Sequence, residues 1–306
     1  MTTRICVGLI GLGAMGRGVA LNLLRKDFDV VGFDVRQDAR VWLQDQGGTA
    51  ADSLQELVER TRIFVSFVVN SEQTEAVLYG EGGLVERLPP GAVFVACSTM
   101  DPGYVASLAL RLASKSIHLV DAPVTGGAAG AARGTLTIMA SGHPDAVAEV
   151  RPVLHAFGAR VYELGAAGAG AKMKVLNQLL CGVHLAAAGE ALALANREGL
   201  PLDTTLEILC SGAAASWMLR DRGPRMIQQD FDNVTSAVDI FVKDMSLVLD
   251  MTRSSRFRAP LAHAAYLAFI DATAQGLGAR DDSAVTATYS RGRGPQVAPT
   301  NSQETK

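Results

Sequence analysis

Through the first half of the chain, short apolar runs alternate with longer stretches in which apolar residues recur every three or four positions. The runs are RICVGLI (4–10), DVVGFDV (29–35), RIFVSFVV (62–69), AVFVACS (92–98), IHLVDAP (117–123) and TLTIMAS (135–141), with a shorter one at ARVYEL (159–164). Most are almost continuously apolar, which predicts parallel strands covered on both faces. With helices between them they give the strand–helix–strand rhythm of a doubly wound sheet.

From about Gly168 the pattern changes. An Ala/Leu-rich helical run extends to about Glu198, where EGLP supplies the glycine and proline punctuation of a helix end. Further helical patterns cover 203–211, 216–229, 234–253 and 259–276, with no convincing strand among them. The expected fold is an α/β Rossmann domain, a doubly wound sheet over 1–165, followed by an all-α C-terminal domain over 166–289. SRGRGPQVAPTNSQETK (290–306) is polar and contains glycine and proline, and is expected to be a disordered tail.

Composition narrows the function classes. Apolar residues make up 48% of the chain, enough for a sizeable buried core. A net charge of −3, with no long Lys/Arg run, argues against a protein built to grip nucleic acid or anionic membrane. Cys6, Cys97, Cys181 and Cys210 are far apart and form no CxxC pair, which suits a reduced cytoplasm. The histidines are scattered, so no metal site is expected. No stretch reads as an uninterrupted membrane span. The apolar start resembles a short signal peptide, but its regularly spaced glycines and the strand that follows read as mature structure.

Those glycines carry the first chemistry. In GLIGLGAMGRGVALNLL, Gly11, Gly13 and Gly16 form a GxGxxG pattern between a strand and a helix. The first glycine permits the tight turn, the second lets a pyrophosphate approach the backbone, and the third lets helix pack on strand. Ala14 and Met15 then begin a helix whose free N–H groups and dipole favour phosphate. Asp34, at the end of the second strand, is placed to accept hydrogen bonds from ribose hydroxyls and to repel a 2′-phosphate, which favours NAD over NADP. Arg36 pulls the other way, since a nearby arginine can receive that phosphate. The plain alternative for Asp34 is a turn residue.

A second glycine cluster, DAPVTGGAAGAARGTL (121–136), follows the fifth strand. Loops at the carboxyl ends of parallel strands face the ligand crevice, and Thr125, Gly126 and Gly127 offer a hydroxyl and successive N–H groups to a carboxylate. Without the first motif, an ordinary glycine-rich turn would be the better reading. Farther on, GAGAKMKVLNQLL (168–180) places Lys172 and Lys174 two positions apart, on nearly opposite sides of a helix. Lys174 shares its face with Asn177 and Gln178, and a lysine beside a carboxamide is a credible group for handling a hydroxyl. Lys172 fits a solvated helix start. His184, ten residues on and about 15 Å along the axis, is too far to share one small acid and reads as a core or interface histidine.

Taken together, the chain resembles the β-hydroxyacid dehydrogenase family, which includes 3-hydroxyisobutyrate dehydrogenases and tartronate semialdehyde reductases. The resemblance covers roughly residues 4–275 and rests on four ordered motifs: GLIGLGAMGRGVALNL, DAPVTGGAAGAARGTL, GAAGAGAKMKVLNQ and KDMSLVLD (243–250). It implies a substrate-carboxylate loop at Thr125, Gly126 and Gly127, a catalytic lysine at Lys174 and a cofactor-contacting lysine at Lys243. It also implies cofactor contacts at Val69 and Asn70, after the third long strand, and at Ser98 and Thr99, near the nicotinamide ribose. Thr125 stands where the family usually has serine, and Asn177-Gln178 where it has Asn-Asp or Asn-Asn, so the orienting amide comes from either residue. VVNSEQTEAVLYG, NQLLCGVHLAAAGEALALA, SWM and SAVDIFVKD look most like the L-threonate dehydrogenase branch, some members of which carry histidine at the position of Asn177.

The resemblance implies NAD-dependent oxidation of a small, carboxylate-bearing polyhydroxy acid, foremost L-threonate to 2-oxo-tetronate (2-dehydro-L-erythronate), in a cytoplasmic homodimer or homotetramer. The enzyme alternatives are a 3-hydroxyisobutyrate dehydrogenase and a tartronate or succinate semialdehyde reductase using NADPH, against which Asp34 speaks. An alternative of another class is a non-catalytic dinucleotide-binding scaffold, which would be expected to lose the lysine or the glycines that this chain keeps. A 6-phosphogluconate-type enzyme fits less well, because the chain is short and shows no arginine cluster for a sugar phosphate.

Overall fold

The structure is a computed structural model that describes residues 4–290. Nearly all of the tail read as disordered, from 291 onward, lies outside the described residues.

The strands are β1 (Cys6–Ile10), β2 (Asp29–Phe33), β3 (Thr49–Ala50), β4 (Ile63–Ser66), β5 (Val93–Ala96), β6 (His118–Asp121), β7 (Val124–Thr125), β8 (Leu136–Gly142) and β9 (Gly158–Glu163). Between them lie α1 (Ala14–Arg25), α2 (Gln37–Asp45), α3 (Leu54–Arg60), α4 (Ser71–Tyr79), α5 (Pro102–Ala113), α6 (Gly127–Arg133) and α7 (Pro144–Phe157). The sheet order is β3-β2-β1-β4-β5-β6-β8-β7, with β9 on the far side of β8. From β3 to β6 every pairing is parallel, the open Rossmann arrangement.

Neighbouring strand residues enter opposite cores. Val7, Leu9, Ile63, Val65, Val93, Val95 and Val120 belong to one, and Ile10, Phe64, Phe94 and Leu119 to the other. Both faces are therefore dry, which is why these strands read as unbroken apolar runs. Two details depart from the sequence reading. The pairs β3 and β7 are too short to leave a run, and β8 lies antiparallel to β6 and β7.

After β9 come α8 (Ala169–Arg197), α9 (Leu202–Ser211), α10 (Trp217–Gln228), α11 (Val238–Ser254), α12 (Pro260–Ala274) and a 3₁₀ segment over Asp282–Ser290. No strand follows β9 among the described residues. By length and composition α8 is apolar enough to cross a membrane, contrary to the sequence reading. Alanine-rich core helices pass the same test, and 44% of the stretch is buried.

The chain forms two compact units. One runs to Leu179 and includes Leu247–Arg258; the other comprises Leu180–Ser246 and the chain from Ala259. In the second unit, Arg222 forks onto Asp282 with its Nε at 2.7 Å and Nη2 at 3.0 Å, and Arg225 reaches Asp281 at 2.6 Å. These charge-assisted pairs tie α10 to the 3₁₀ segment.

In the first unit, α1 and α6 meet through small residues. A Cβ on Gly18 would lie 2.6 Å from the Ala131 carbonyl carbon, closer than any side chain permits. Beside this contact Asn22 is buried, and its Nδ2 donates to the carbonyls of Gly18 and Ala131, each at 2.7 Å. The second bond adds to the one that the Ala131 carbonyl accepts from the Gly134 N–H, at 3.2 Å, at the end of α6. Gly134, in the left-handed conformation (φ 68°), closes the same helix end. Asn22→Ala is expected to lower unfolding free energy by about 1–3 kcal/mol, the scale of two lost buried hydrogen bonds. A urea titration reads this as a lower midpoint at constant slope, and an unchanged midpoint would contradict it.

Candidate active site

Because β1, β2, β4, β5 and β6 are parallel, the loops after them all leave the same edge of the sheet. Most of the residues singled out in the sequence stand on these loops. Gly11 has φ 88°, and a Cβ there would sit 2.8 Å from the Phe67 carbonyl. Gly16 is tighter still, since its Cβ would be 1.9 Å from the carbonyl oxygen of Gly11. Gly13 differs: a Cβ on it would meet nothing within 4 Å. It opens α1 with no side-chain cap, so Ala14 and Met15 begin a helix whose N–H groups are left for a ligand. Two glycines forced by backbone contact and a third facing open space fit a bound pyrophosphate.

Asp34 is buried beside this loop. Its Oδ2 accepts from the Leu12 N–H at 2.7 Å, and its Oδ1 from the Arg36 N–H at 2.9 Å. Burial pushes its carboxyl up, but these two N–H groups and the Arg36 guanidinium outweigh that and hold it below the ordinary carboxylate range. It is therefore a fixed anion at neutral pH. Arg36 Nε lies 3.3 Å from Asp34 Oδ1 while about half of its side chain remains exposed. Arg40, which the sequence reading passed over, donates to the Asp34 carbonyl at 2.7 Å.

After β4, Val69 is exposed and its N–H donates to Gln73 Oε1 at 2.9 Å. Asn70 caps α4 by accepting from the Gln73 N–H at 2.9 Å, so it has a structural duty besides any contact with a cofactor. After β5, Ser98 is buried and its hydroxyl donates to the Val68 carbonyl at 2.6 Å, joining the two loops. Thr99 follows it, half-buried. Burial pushes the thiol of neighbouring Cys97 well up, so it stays protonated.

Thr125 ends β7, paired with Thr137 of β8. Gly126 (φ 123°) and Gly127 (φ 63°) then take conformations closed to most residues and open α6 with no side-chain cap. A Cβ on Gly127 would again meet open space.

The two lysines of α8 separate as helix geometry requires. Lys172 is exposed, whereas Lys174 is only 8% exposed. Gln178 is buried beside half-buried Asn177, whose Nδ2 donates to Gln178 Oε1 at 2.8 Å. His184 is exposed, not a core residue: ten residues of helix turn it about 80° away from Lys174, whereas Gln178, Leu185 and Leu192, nearly in line with Lys174, stay buried. Lys243 belongs to the second unit, on α11, with its Nζ 3.0 Å from Asp244 Oδ1. No group of three or more metal-ligating side chains occurs among the described residues.

The sequence reading missed Asp121, the last residue of β6. It is fully buried, and its Oδ2 accepts from the N–H groups of Gly168 (3.2 Å) and Ala171 (2.8 Å) and from the Ser141 hydroxyl (3.0 Å). Burial raises its carboxyl to about 6 although all three donors pull it down. In the sequence it closes an apolar strand and heads the run DAPVTGGAAGAARGTL, but nothing local pairs it with residues 141 or 168–171.

Comparison with known proteins agrees with this architecture. The family model for the NAD binding domain of 6-phosphogluconate dehydrogenase matches residues 6–165. That for the NAD-binding domain of NADP-dependent 3-hydroxyisobutyrate dehydrogenase matches 168–289. An L-threonate dehydrogenase of Cupriavidus necator is 46% identical over 91% of this chain and 94% of its own. One from Escherichia coli K12 is 40% identical over 93% and 94%. The crystal structure of 3-hydroxyisobutyrate dehydrogenase from Salmonella typhimurium superimposes with a TM-score of 0.88 at 39% identity, covering 92% of this chain and 99% of that one. With glycine loop, strand-end loops and buried lysine on one scaffold, the chain belongs to the β-hydroxyacid dehydrogenase family and is an NAD(P)-dependent oxidoreductase of hydroxy acids.

Proposed function

We propose that the protein oxidises L-threonate with NAD at the hydroxyl next to the carboxylate, giving 2-oxo-tetronate (2-dehydro-L-erythronate). One observation carries the chemistry: Lys174 is withdrawn from water on a helix whose first turn is bonded to the strand leading into the Thr125–Gly127 loop. The choice of acid is supported by the 46% identity to the L-threonate dehydrogenase of C. necator.

When bound, the nicotinamide supplies the hydride acceptor. Thr125, Gly126 and Gly127 hold the substrate carboxylate with a hydroxyl and backbone N–H groups, which leaves the adjacent carbon as the one to react. As the hydride leaves that carbon, Lys174 takes the proton of its hydroxyl, and the ammonium so formed stands beside the new carbonyl oxygen. Asn177 or Gln178 orients the hydroxyls. Gly11, Gly13, Ala14, Met15 and Gly16 hold the pyrophosphate, Asp34 the ribose, and Val69, Asn70, Ser98 and Thr99 the nicotinamide half. Asp34, ionised at neutral pH, is the reason for choosing NAD. The four free cysteines suit a cytoplasmic setting.

Lys174→Ala is expected to lower kcat by about 10²–10⁴-fold, the scale of a lost acid–base group, while Lys172→Ala leaves it nearly unchanged. Equal losses in two folded variants would refute the assignment of faces.

Asp34→Ala should weaken NAD and shift the NAD-to-NADP ratio of kcat/KM by about 10–100-fold toward NADP, since a hydrogen-bonding charge is removed. A wild type that already prefers NADP would instead make exposed Arg36 the determinant.

A site that bonds several hydroxyls rejects analogues lacking them, because its buried partners go unmet. L-Threonate should therefore exceed 3-hydroxyisobutyrate in kcat/KM by about 10²-fold or more, with D-erythronate as the stereochemical control. The reverse order would return the chain to the generic family substrate.

A further inference from the structure

We propose that Asp121, acting with Ser141, is the positioning residue for Lys174, fixing the first turn of α8 and hence where the amine stands relative to the Thr125–Gly127 loop. The proposal rests on the reading of Lys174 given above.

An α-helix begins with N–H groups that have no partner within the helix. At α8 each finds one elsewhere. Gly168 and Ala171 donate to Asp121 Oδ2, Gly170 donates to Ser141 Oγ at 3.0 Å, and Ala169 donates to the Ala166 carbonyl at 3.1 Å. The Ser141 hydroxyl in turn donates to Asp121, so the two side chains act as one acceptor. Lys172 N–H, bonded to the Gly168 carbonyl at 2.9 Å, makes the first ordinary helical bond. The positive end of this helix is thus used up inside the protein by a carboxylate.

Glycine lets the turn sit this close. A Cβ on Gly170 would fall 2.3 Å from the Met139 carbonyl oxygen and 3.0 Å from that of Asp121. Gly168 has φ 94°, and its Cβ would be 3.0 Å from the Pro102 carbonyl oxygen. The turn is therefore pinned against β6, β8 and the start of α5 at once.

Lys174 lies one turn beyond Ala171 on the same face, about 4.5 Å along the axis. Thr125 lies four residues beyond Asp121 along the chain. One side chain thus sits at the root of both the substrate loop and the lysine helix, and the reaction needs those two in fixed relation. A misplacement of about 1 Å at a reacting group can cost about 10²-fold in rate.

Asp121 Oδ1 is buried with no hydrogen-bond partner among the described residues. Only Oδ2 therefore does the holding, and asparagine can supply an equivalent oxygen. Alanine cannot. This difference separates positioning through an acceptor from a need for charge or bulk.

The experiment compares wild type with D121A, D121N, S141A and K174A, using whichever hydroxy acid the wild type oxidises, with and without deuterium on the carbinol carbon. The expected result for D121A is a kcat lower by about 10–100-fold, an NAD KM within about twofold of wild type, and a larger isotope effect on kcat. D121N should recover most of the rate, and S141A should lose several-fold. Hydrogen exchange in a peptide spanning 166–180 should be faster in D121A than in wild type, D121N or K174A, a readout that needs no turnover. A folded D121A with wild-type kcat or wild-type exchange overturns the proposal. So does a D121N no better than D121A. Should D121A not fold, S141A carries the test, and an unchanged kcat and exchange there overturn it. Full activity in K174A, by contrast, refutes the role of Lys174 and leaves the exchange result to report on the clamp alone.

Discussion

A helix cannot begin without exposing N–H groups, and much of this structure follows from how those groups are answered. At α4 and α5 the side chains of Asn70 and Asp101 answer them. At α8 a carboxylate from the sheet does so, and the helix is thereby fastened to β6. At α1 and α6 the capping positions are Gly13 and Gly126, which have no side chain to offer. In a β-hydroxyacid dehydrogenase those two starts follow the loops read as holding the dinucleotide and the substrate acid, both anionic. The same constraint thus yields a start fastened to the sheet at α8 and two starts without a side-chain cap at α1 and α6.

The two open starts are held together from behind. Gly18 and Ala131 bring the backbones of α1 and α6 into contact, and Asn22 closes the end of α6. Small residues at such a crossing leave no slack for side-chain rearrangement. The loops at the front of these helices therefore keep their spacing without needing to touch one another.

Much of this was legible in the sequence, because the signals were local. Continuous apolarity gave the central strands, and GxGxxG gave a turn whose glycines prove to be dictated by backbone contact at Gly11 and Gly16. The 100° step of a helix separated Lys174 from Lys172 before any coordinates did. What escaped was non-local. The two-residue strand Val124–Thr125 exists only because β8 turns back beside it, and residues 121, 141 and 168–171 become one cluster only after the chain has passed through β7, α6, β8, α7 and β9. For His184 the core alternative fails for a local reason instead, since ten residues of helix leave it about 80° off the buried line through Lys174, Gln178 and Leu185. Asp121 heads the glycine-rich run DAPVTGGAAGAARGTL, but its partners lie 20 and 47–50 residues away, beyond the reach of any local pattern.

The clamp at the start of α8 also bears on how this fold can be recombined. The two family models meet between residues 165 and 168, which invites a chimera joined there. Such a graft would carry in foreign residues at 168–171 and set them against the native Asp121 and Ser141. The first compact unit, which also takes in Leu247–Arg258, instead leaves α8 at Leu179, nearly three turns inside the helix and past Lys174, Asn177 and Gln178. A helical domain exchanged at that point would leave the clamp, the lysine and the substrate loop as one inherited piece.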